Sequence, residues 1–142
     1  MEEPSEGVGL FIASVGERDP ESDSGPTGPL RGARELRPRA VALVAAPGVE
    51  AQAERTRERI ARELPGASVT VERLRVKDPS HLDELLTVCG RLLDRVLAQF
   101  PGNGTVAVCA TSGTPQIGLA LTLAALAKAP GAQHFQALDP AK

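Results

Sequence analysis

Apolar runs of strand length alternate along this chain with longer segments of helical periodicity, and this alternation restricts the fold more than any other feature. Strands are predicted at residues 9–15, 40–45, 68–76, 105–110 and 134–138, and helices at residues 29–36, 49–64, 81–100 and 116–129. The run at 40–45 is an unbroken series of Ala, Val and Leu, which is typical of a strand covered on both faces. We therefore predict an α/β fold in which a mainly parallel sheet of five or six strands lies between two layers of helices.

Length and composition indicate one domain with an ordinary core. The chain has 142 residues, of which 42% are hydrophobic and 24% are charged, and its formal net charge is -2. We expect residues 1–7 to be a flexible N-terminus and residues 8–142 to form a single domain. The negative net charge argues against a general polyanion binder, and three Phe with no Trp or Tyr leave no platform for stacked bases.

The two cysteines form no metal-binding or disulfide pattern. Cys89 lies on the apolar face of a predicted helix and Cys109 lies in a predicted buried strand, so we interpret both as core thiols of a reducing cytoplasm. We find no signal peptide and no apolar run of membrane-spanning length. We therefore expect a cytoplasmic protein with no metal, no other cofactor, no DNA partner and no membrane contact.

Two polar turns follow predicted strands that would be neighbours in such a sheet. Residues 14–20 read Ser-Val-Gly-Glu-Arg-Asp-Pro after the first strand, and residues 111–116 read Thr-Ser-Gly-Thr-Pro-Gln after the fourth. Pro115 suits the first turn of the following helix and Thr114 suits its N-cap. Backbone amides and hydroxyls would then face one place with the positive end of a helix behind them, which predicts a phosphate or anion site where the strand order reverses. The alternative, that Thr114 only caps a helix, stays open.

The segment at residues 19–28 is rich in Asp, Ser, Gly and Pro and follows the first polar turn directly. It is either a lid over the site or a plain flexible connection, and the sequence does not decide between them. Gly16 stands alone where a dinucleotide-binding fingerprint needs three glycines, and no P-loop is present. Both facts argue against an ordinary NAD or ATP site.

The two turns resemble the two signatures of CARF domains, the CRISPR-associated Rossmann folds. Residues 14–20 resemble the first signature and residues 111–116 the second, while residues 28–30, 36–38 and 78–79 are also similar. The closest likeness is to the sensor domains of the Csm/Csx-type effector ribonucleases, over about residues 10–140. The resemblance implies that residues 8–142 form one Rossmann-like three-layer sandwich, and that this CARF-like domain is homodimeric.

What the resemblance implies for function is the binding of a cyclic oligoadenylate in a homodimeric pocket, as a sensor domain of type III CRISPR antiviral signalling. The expected ring is cyclic tetra-adenylate, with cyclic hexa-adenylate as the other size. Effectors of this family carry an output domain after the sensor, so a missing or separate effector is also expected. The implied ligand-binding residues are Ser14, Val15, Gly16, Arg18, Lys77, Thr111, Ser112, Gly113, Thr114, Pro115 and Gln116.

Two alternatives remain open at this point. One is a stand-alone, metal-independent ring nuclease in which a ribose 2′-hydroxyl attacks its own phosphodiester, with Ser14 and Thr111 orienting the ribose and Arg18 neutralising the phosphorane. The other is a dimerising interaction module whose turns are only connections. The helix at 116–129 is apolar on nearly every face, so we predict that it forms the homodimer contact, with Leu121 and Leu123 in that contact.

Overall fold

A computed structural model of the chain describes residues 8–23, 25–78, 81–100 and 105–135. Strands and helices alternate as the hydrophobic pattern predicts. In chain order they are β1 (Val8–Ser14), β2 (Glu21–Ser22), β3 (Gly25–Pro26), α1 (Gly28–Leu36), β4 (Ala40–Ala45), α2 (Glu50–Glu63), β5 (Ser68–Arg73), α3 (Leu82–Gln99), β6 (Thr105–Cys109), α4 (Pro115–Lys128) and β7 (Gln133–His134). The predicted flexible N-terminus at 1–7, and residues 136–138 of the last predicted strand, lie outside the described residues.

The main sheet has five parallel strands in the order β5-β4-β1-β6-β7. From the central strand β1 the chain moves outward to β4 and β5, and then returns to β6 on the other side of β1. The strand order therefore reverses between β1 and β6, and a crevice opens at the carboxyl ends of these two neighbours. The predicted α/β, Rossmann-like fold with a five-stranded parallel sheet is confirmed.

The sheet separates two hydrophobic clusters, one under α1 and α2 and the other under α3 and α4. Phe11, Leu43 and Ile60 belong to the first cluster. The second contains Ile12 and Leu121. Because all seven residues of β1 are buried, the alternating side chains of this strand fill both clusters. Cys89 and Cys109 are buried thiols in the core, as predicted, and burial raises the pKa of Cys89 to about 11.

The fully buried position of Leu121 shows that its predicted place in a dimer contact is wrong. It packs in the cluster beneath α3 and α4 with none of its surface exposed. The exposed apolar residues of α4 are instead Leu119, Leu123 and Leu126, which are 48%, 40% and 52% exposed. These three are spaced four and three residues apart, so they form one stripe along the helix.

The segment at 19–28 contains a short antiparallel hairpin in which β2 pairs with β3. The ends of the hairpin are joined by the Thr27 N–H, which donates to the Pro20 carbonyl at 3.1 Å, and the Asp19-Pro20 peptide bond is cis. The hairpin thus leads from the end of β1 directly into the start of α1. In the part of the chain that the structure describes, no helix combines the length and apolar character needed to cross a membrane.

Candidate functional site

The two polar turns meet in direct backbone contact at the carboxyl ends of β1 and β6. A Cβ atom on Gly16 would lie 2.5 Å from the backbone nitrogen of Gly113, so only glycine fits between the turns. The hydroxyl of Ser14 donates a hydrogen bond to the Ser112 carbonyl at 2.7 Å. Gly113 has a φ of 90°, a left-handed conformation that also favours glycine. The geometry of each turn therefore depends on the other.

A cleft of about 600 Å³ opens beside this contact. Its walls are both polar turns, the hairpin that leads into α1, and the turn between β4 and α2. The lining residues are 15–19, 22, 26–28, 46–49, 111–114 and Ile117. A cleft of this size at the reversal of strand order is typical of a ligand site in an open α/β sheet.

Three helices begin at the edge of this cleft, so three positive helix ends converge on it. The first turns of α1 and α4 contain no acidic residue. In α4 the Thr114 hydroxyl accepts from the Ile117 N–H at 3.3 Å, as the capping motif predicts. At α2, by contrast, the Glu50 carboxylate accepts from the Gly48 N–H at 2.9 Å. The first turns of α1 and α4 therefore carry no carboxylate of their own, so their backbone N–H groups can bind an anion.

Asp19 is a buried carboxylate that ties three segments of the cleft together. It accepts hydrogen bonds from the Gly16 N–H at 2.6 Å, from the Ser112 hydroxyl at 3.3 Å, and from the Thr27 hydroxyl. Only 3% of its surface is exposed. Burial raises the pKa of Asp19 above its ordinary value, while the three donors act in the opposite direction. Asp19 thus fixes the first turn, the second turn and the start of α1 relative to one another.

Seven of the predicted ligand-binding residues lie together in the cleft: Val15, Gly16, Arg18, Thr111, Ser112, Gly113 and Thr114. The other four predicted ligand-binding residues do not line the cleft. Pro115 and Gln116 are exposed at the start of α4 but do not line the cleft. Ser14 is completely buried, and its hydroxyl is bonded to Ser112 behind the wall. Lys77 follows the edge strand β5, two strands away from β1, where its N–H donates to Glu84 at 3.2 Å.

Sequence reasoning missed the contribution of Asp19, Thr27 and the turn before α2. Gly28 was recognised only through a resemblance, yet a Cβ there would lie 2.9 Å from the Thr111 hydroxyl oxygen and 3.1 Å from the Cys109 sulfur. The start of α1 is therefore packed against the second turn. One sequence signal could have identified Asp19 as part of the cleft: it is a short acidic residue three positions after Gly16, in a turn that otherwise favours anions.

No family model and no curated protein matches the chain. Among solved structures it is similar to Csm6 from Enterococcus italicus bound to cyclic hexa-2'-fluoro-hexa-dAMP, with a TM-score of 0.82 and 18% identity over 96% of this chain and 35% of that one. It is also similar to Can2 from Sulfobacillus thermosulfidooxidans in complex with cyclic tetra-adenylate, with a TM-score of 0.60 and 16% identity over 84% and 29% of the two chains. The chain thus spans about a third of the length of these proteins. The likeness shows the fold, and this fold is the one that the resemblance of the two turns to CARF domains predicts.

Proposed function

We propose that this chain is a cyclic oligoadenylate-binding sensor domain of type III CRISPR signalling, and that two copies build the binding pocket around a two-fold axis. The observation that carries the proposal is the junction of the two polar turns in one cleft. There, hydroxyls, backbone amides and two helix N-termini face the same space as Arg18. The two neighbours with this fold are bound to cyclic oligonucleotides of the same class, which supports the same ligand class for this chain.

The chemistry of the cleft suits a ring of phosphodiesters. Each phosphodiester carries one negative charge and acceptor oxygens, which backbone N–H groups at helix ends can bind without a metal. Thr111 and Thr114 are exposed and offer hydroxyls to phosphate or ribose, and Arg18 is an exposed cation in the same cleft. A ring with an even number of identical nucleotides has two-fold symmetry, so two identical clefts can each bind half of it.

The exposed stripe on α4 is the proposed dimer contact. Leu119, Leu123 and Leu126 lie along one side of a helix whose N-terminus borders the cleft. Pairing two such stripes would remove apolar surface from water, and a two-fold axis along the paired helices would put both clefts at the same end of the dimer. This arrangement supplies the two-fold symmetry that a cyclic ligand requires.

Binding is favoured over cleavage by the ionisable groups that the cleft contains. Among the described residues that line it, these groups are Glu17, Arg18 and Asp19. The oxygens of Asp19 already accept three hydrogen bonds, and no His or Lys lines the described cleft, so the exposed carboxylate of Glu17 is the remaining candidate base in the described lining. Attack by a ribose 2′-hydroxyl is fast only with a well-placed general base. We therefore favour a sensor over a ring nuclease as the function of this chain.

The test is calorimetric titration of the chain with cyclic tetra- and hexa-adenylate in EDTA, followed by chromatography of the nucleotide. We expect one intact ring bound per two chains. Both ring sizes are tested, because the sequence predicts the tetra-adenylate whereas the neighbour with the higher TM-score is bound to a hexa-adenylate analogue. Arg18→Ala should weaken binding about tenfold, by loss of one charge-assisted contact. Arg62→Ala, an exposed change on α2, is the matched control.

Failure of both rings to bind would refute the proposal. If the Arg18→Ala and Arg62→Ala variants bound the ring with equal affinity, Arg18 would not be a ligand contact. Conversion of the ring to linear products would identify the ring nuclease instead.

A further inference from the structure

Among the described residues, the outer side of β5 is an open sheet edge. Within the described residues β5 pairs only with β4. The N–H groups of Ser68 and Leu74 donate to carbonyls of the β4 segment at 2.9 and 2.8 Å. Because backbone groups alternate in direction along a strand, the N–H and C=O groups of Val71 and Arg73 point away from β4. These groups are in position to pair with one more strand.

A groove of about 560 Å³ lies along this edge and is bordered by α3. Its apolar part is formed by Val71, Val88 and Leu92. Its charged part consists of four arginines, two from the β5 segment and two from α3, and contains no acidic residue among the described lining: Arg73, Arg75, Arg91 and Arg95. The groove therefore combines an unpaired strand edge with a strongly positive rim.

Most of this positive charge is not neutralised by the described residues. Arg95 pairs with Glu72 at 3.1 Å, and its side chain remains 51% exposed. Arg75 and Arg91 make no salt bridge with any described residue, and neither does Arg73, although its charge helps to lower the pKa of Glu50. That influence of Arg73 indicates that its side chain lies on the α2 side of the sheet, whereas Arg91 and Arg95 belong to α3 on the opposite side. Cations thus flank the open edge on both faces of the sheet.

We propose that this edge docks an extended acidic peptide segment of a partner protein by strand addition. The outward N–H and C=O groups of β5 match the main chain of a peptide, which offers both donors and acceptors, whereas a nucleic acid backbone offers no N–H to the carbonyls. Side chains of an added strand alternate between the two faces of the sheet. Arginine lies on each face at this edge, so acidic side chains on either face of the added strand would meet a cation. No aromatic residue lines the described groove to stack a base. The same charges repel the β5 edge of a second copy, which selects against self-pairing.

The test uses the peptide fluoresceinyl-Gly-Glu-Asp-Val-Glu-Asp-Gly-amide, which presents acidic side chains on both faces of an added strand, titrated into the full chain. Fluorescence anisotropy measures binding, and amide hydrogen exchange measures protection of Val71 and Arg73. We expect saturable binding with slowed exchange at both amides. Two control peptides are matched to it: one with Pro in place of the central Val, which removes a backbone N–H and keeps every charge, and one with Lys in place of every acidic residue. Each should bind at least about tenfold more weakly.

The variant Arg91→Glu combined with Arg95→Glu should lose at least about tenfold in peptide affinity, while Arg62→Glu on α2 should not. Thermal melts of both variants establish that they remain folded. Equal binding of the proline peptide would overturn strand addition. Tighter binding of an oligo-uridylate than of the acidic peptide, without protection of Val71 and Arg73, would identify a nucleic acid surface and overturn the proposal. Absence of any peptide binding would also overturn it.

Discussion

Replacing Gly16 by alanine should separate the two polar turns and disable the cleft. The added Cβ would lie 2.5 Å from the nitrogen of Gly113, and ordinary contact begins near 3.4 Å, so the backbones must move apart by about 0.9 Å. The hydrogen bond from Ser14 to the Ser112 carbonyl, now 2.7 Å, would lengthen to about 3.6 Å, which is beyond hydrogen-bond distance. Because Ser14 is fully buried, its hydroxyl would then have no water to replace that partner.

The cost of this change follows from the two effects. Overpacking of a tight contact costs about 1–3 kcal/mol, and a buried polar group left without its partner costs about 1–3 kcal/mol. Partial relaxation makes these overlap, so we expect a net loss of about 2–3 kcal/mol in the free energy of unfolding and a fall of about 5–10 °C in Tm. The free energy of binding a cyclic oligoadenylate should weaken by more than the free energy of unfolding does, because donors on both turns would be displaced together.

Denaturant unfolding and calorimetric titration of Gly16→Ala measure both quantities. Gly66→Ala is the matched control, since a Cβ at Gly66 meets no atom within 4 Å and the same loss of backbone freedom in the unfolded chain applies. If Gly16→Ala matched Gly66→Ala in both stability and affinity, the direct contact between the two turns would not control the cleft, and the reasoning would fail.

Three further outcomes are expected. Ser112→Trp should block ligand binding while the chain stays folded at a lower Tm, because the indole would occupy the cleft and Asp19 loses one of its three donors; normal titration would place the ligand elsewhere. Leu123→Glu should lower the sedimentation coefficient while Tm changes little, whereas Leu121→Glu should unfold the chain, since a buried unpaired charge costs several kcal/mol. Burial raises the pKa of Asp19, so the folded chain holds this proton more tightly than the unfolded chain, and the free energy of unfolding should fall as pH rises through the folded pKa. Asp19→Asn should remove that pH dependence in denaturant titrations, and an unchanged profile would exclude Asp19 as its source.

The sheet and the position of the cleft were predictable because each rests on a local pattern. The apolar runs at 9–15 and 105–110 are buried strands, and each ends in a turn rich in hydroxyl and glycine. Once both strands are parallel and adjacent, their turns must lie at the same edge. The N-cap role of Thr114 also follows from sequence alone, since Thr-Pro is a local capping signal, and the structure confirms it.

Other details depend on packing that a local pattern does not encode. Helix α4 is apolar on nearly every face, so no amphipathic signal separates the buried Leu121 from the exposed Leu123; contact with α3 decides which side is covered. Lys77 follows a strand as Arg18 does, but that strand, β5, lies at the sheet edge, and Lys77 is not among the residues that line the cleft. Ser14 and Asp19 each bond to Ser112 in the second turn, 98 and 93 residues away, and no local motif reports a contact over that distance.

A buried carboxylate in a cleft that favours anions limits which anions the cleft can accept. While the Ser112 hydroxyl donates to Asp19, it does not donate its proton to a ligand, so Arg18, exposed hydroxyls and helix-end amides remain as the donors. The negative charge of Asp19 opposes a phosphomonoester, which carries nearly two charges at neutral pH, more than it opposes a phosphodiester, which carries one. A cyclic oligoadenylate contains only phosphodiesters, whereas a linear one with a terminal phosphate also contains a phosphomonoester. We therefore expect Asp19 to favour the ring over the linear molecule, and Asp19→Asn to reduce that preference in paired titrations of the two.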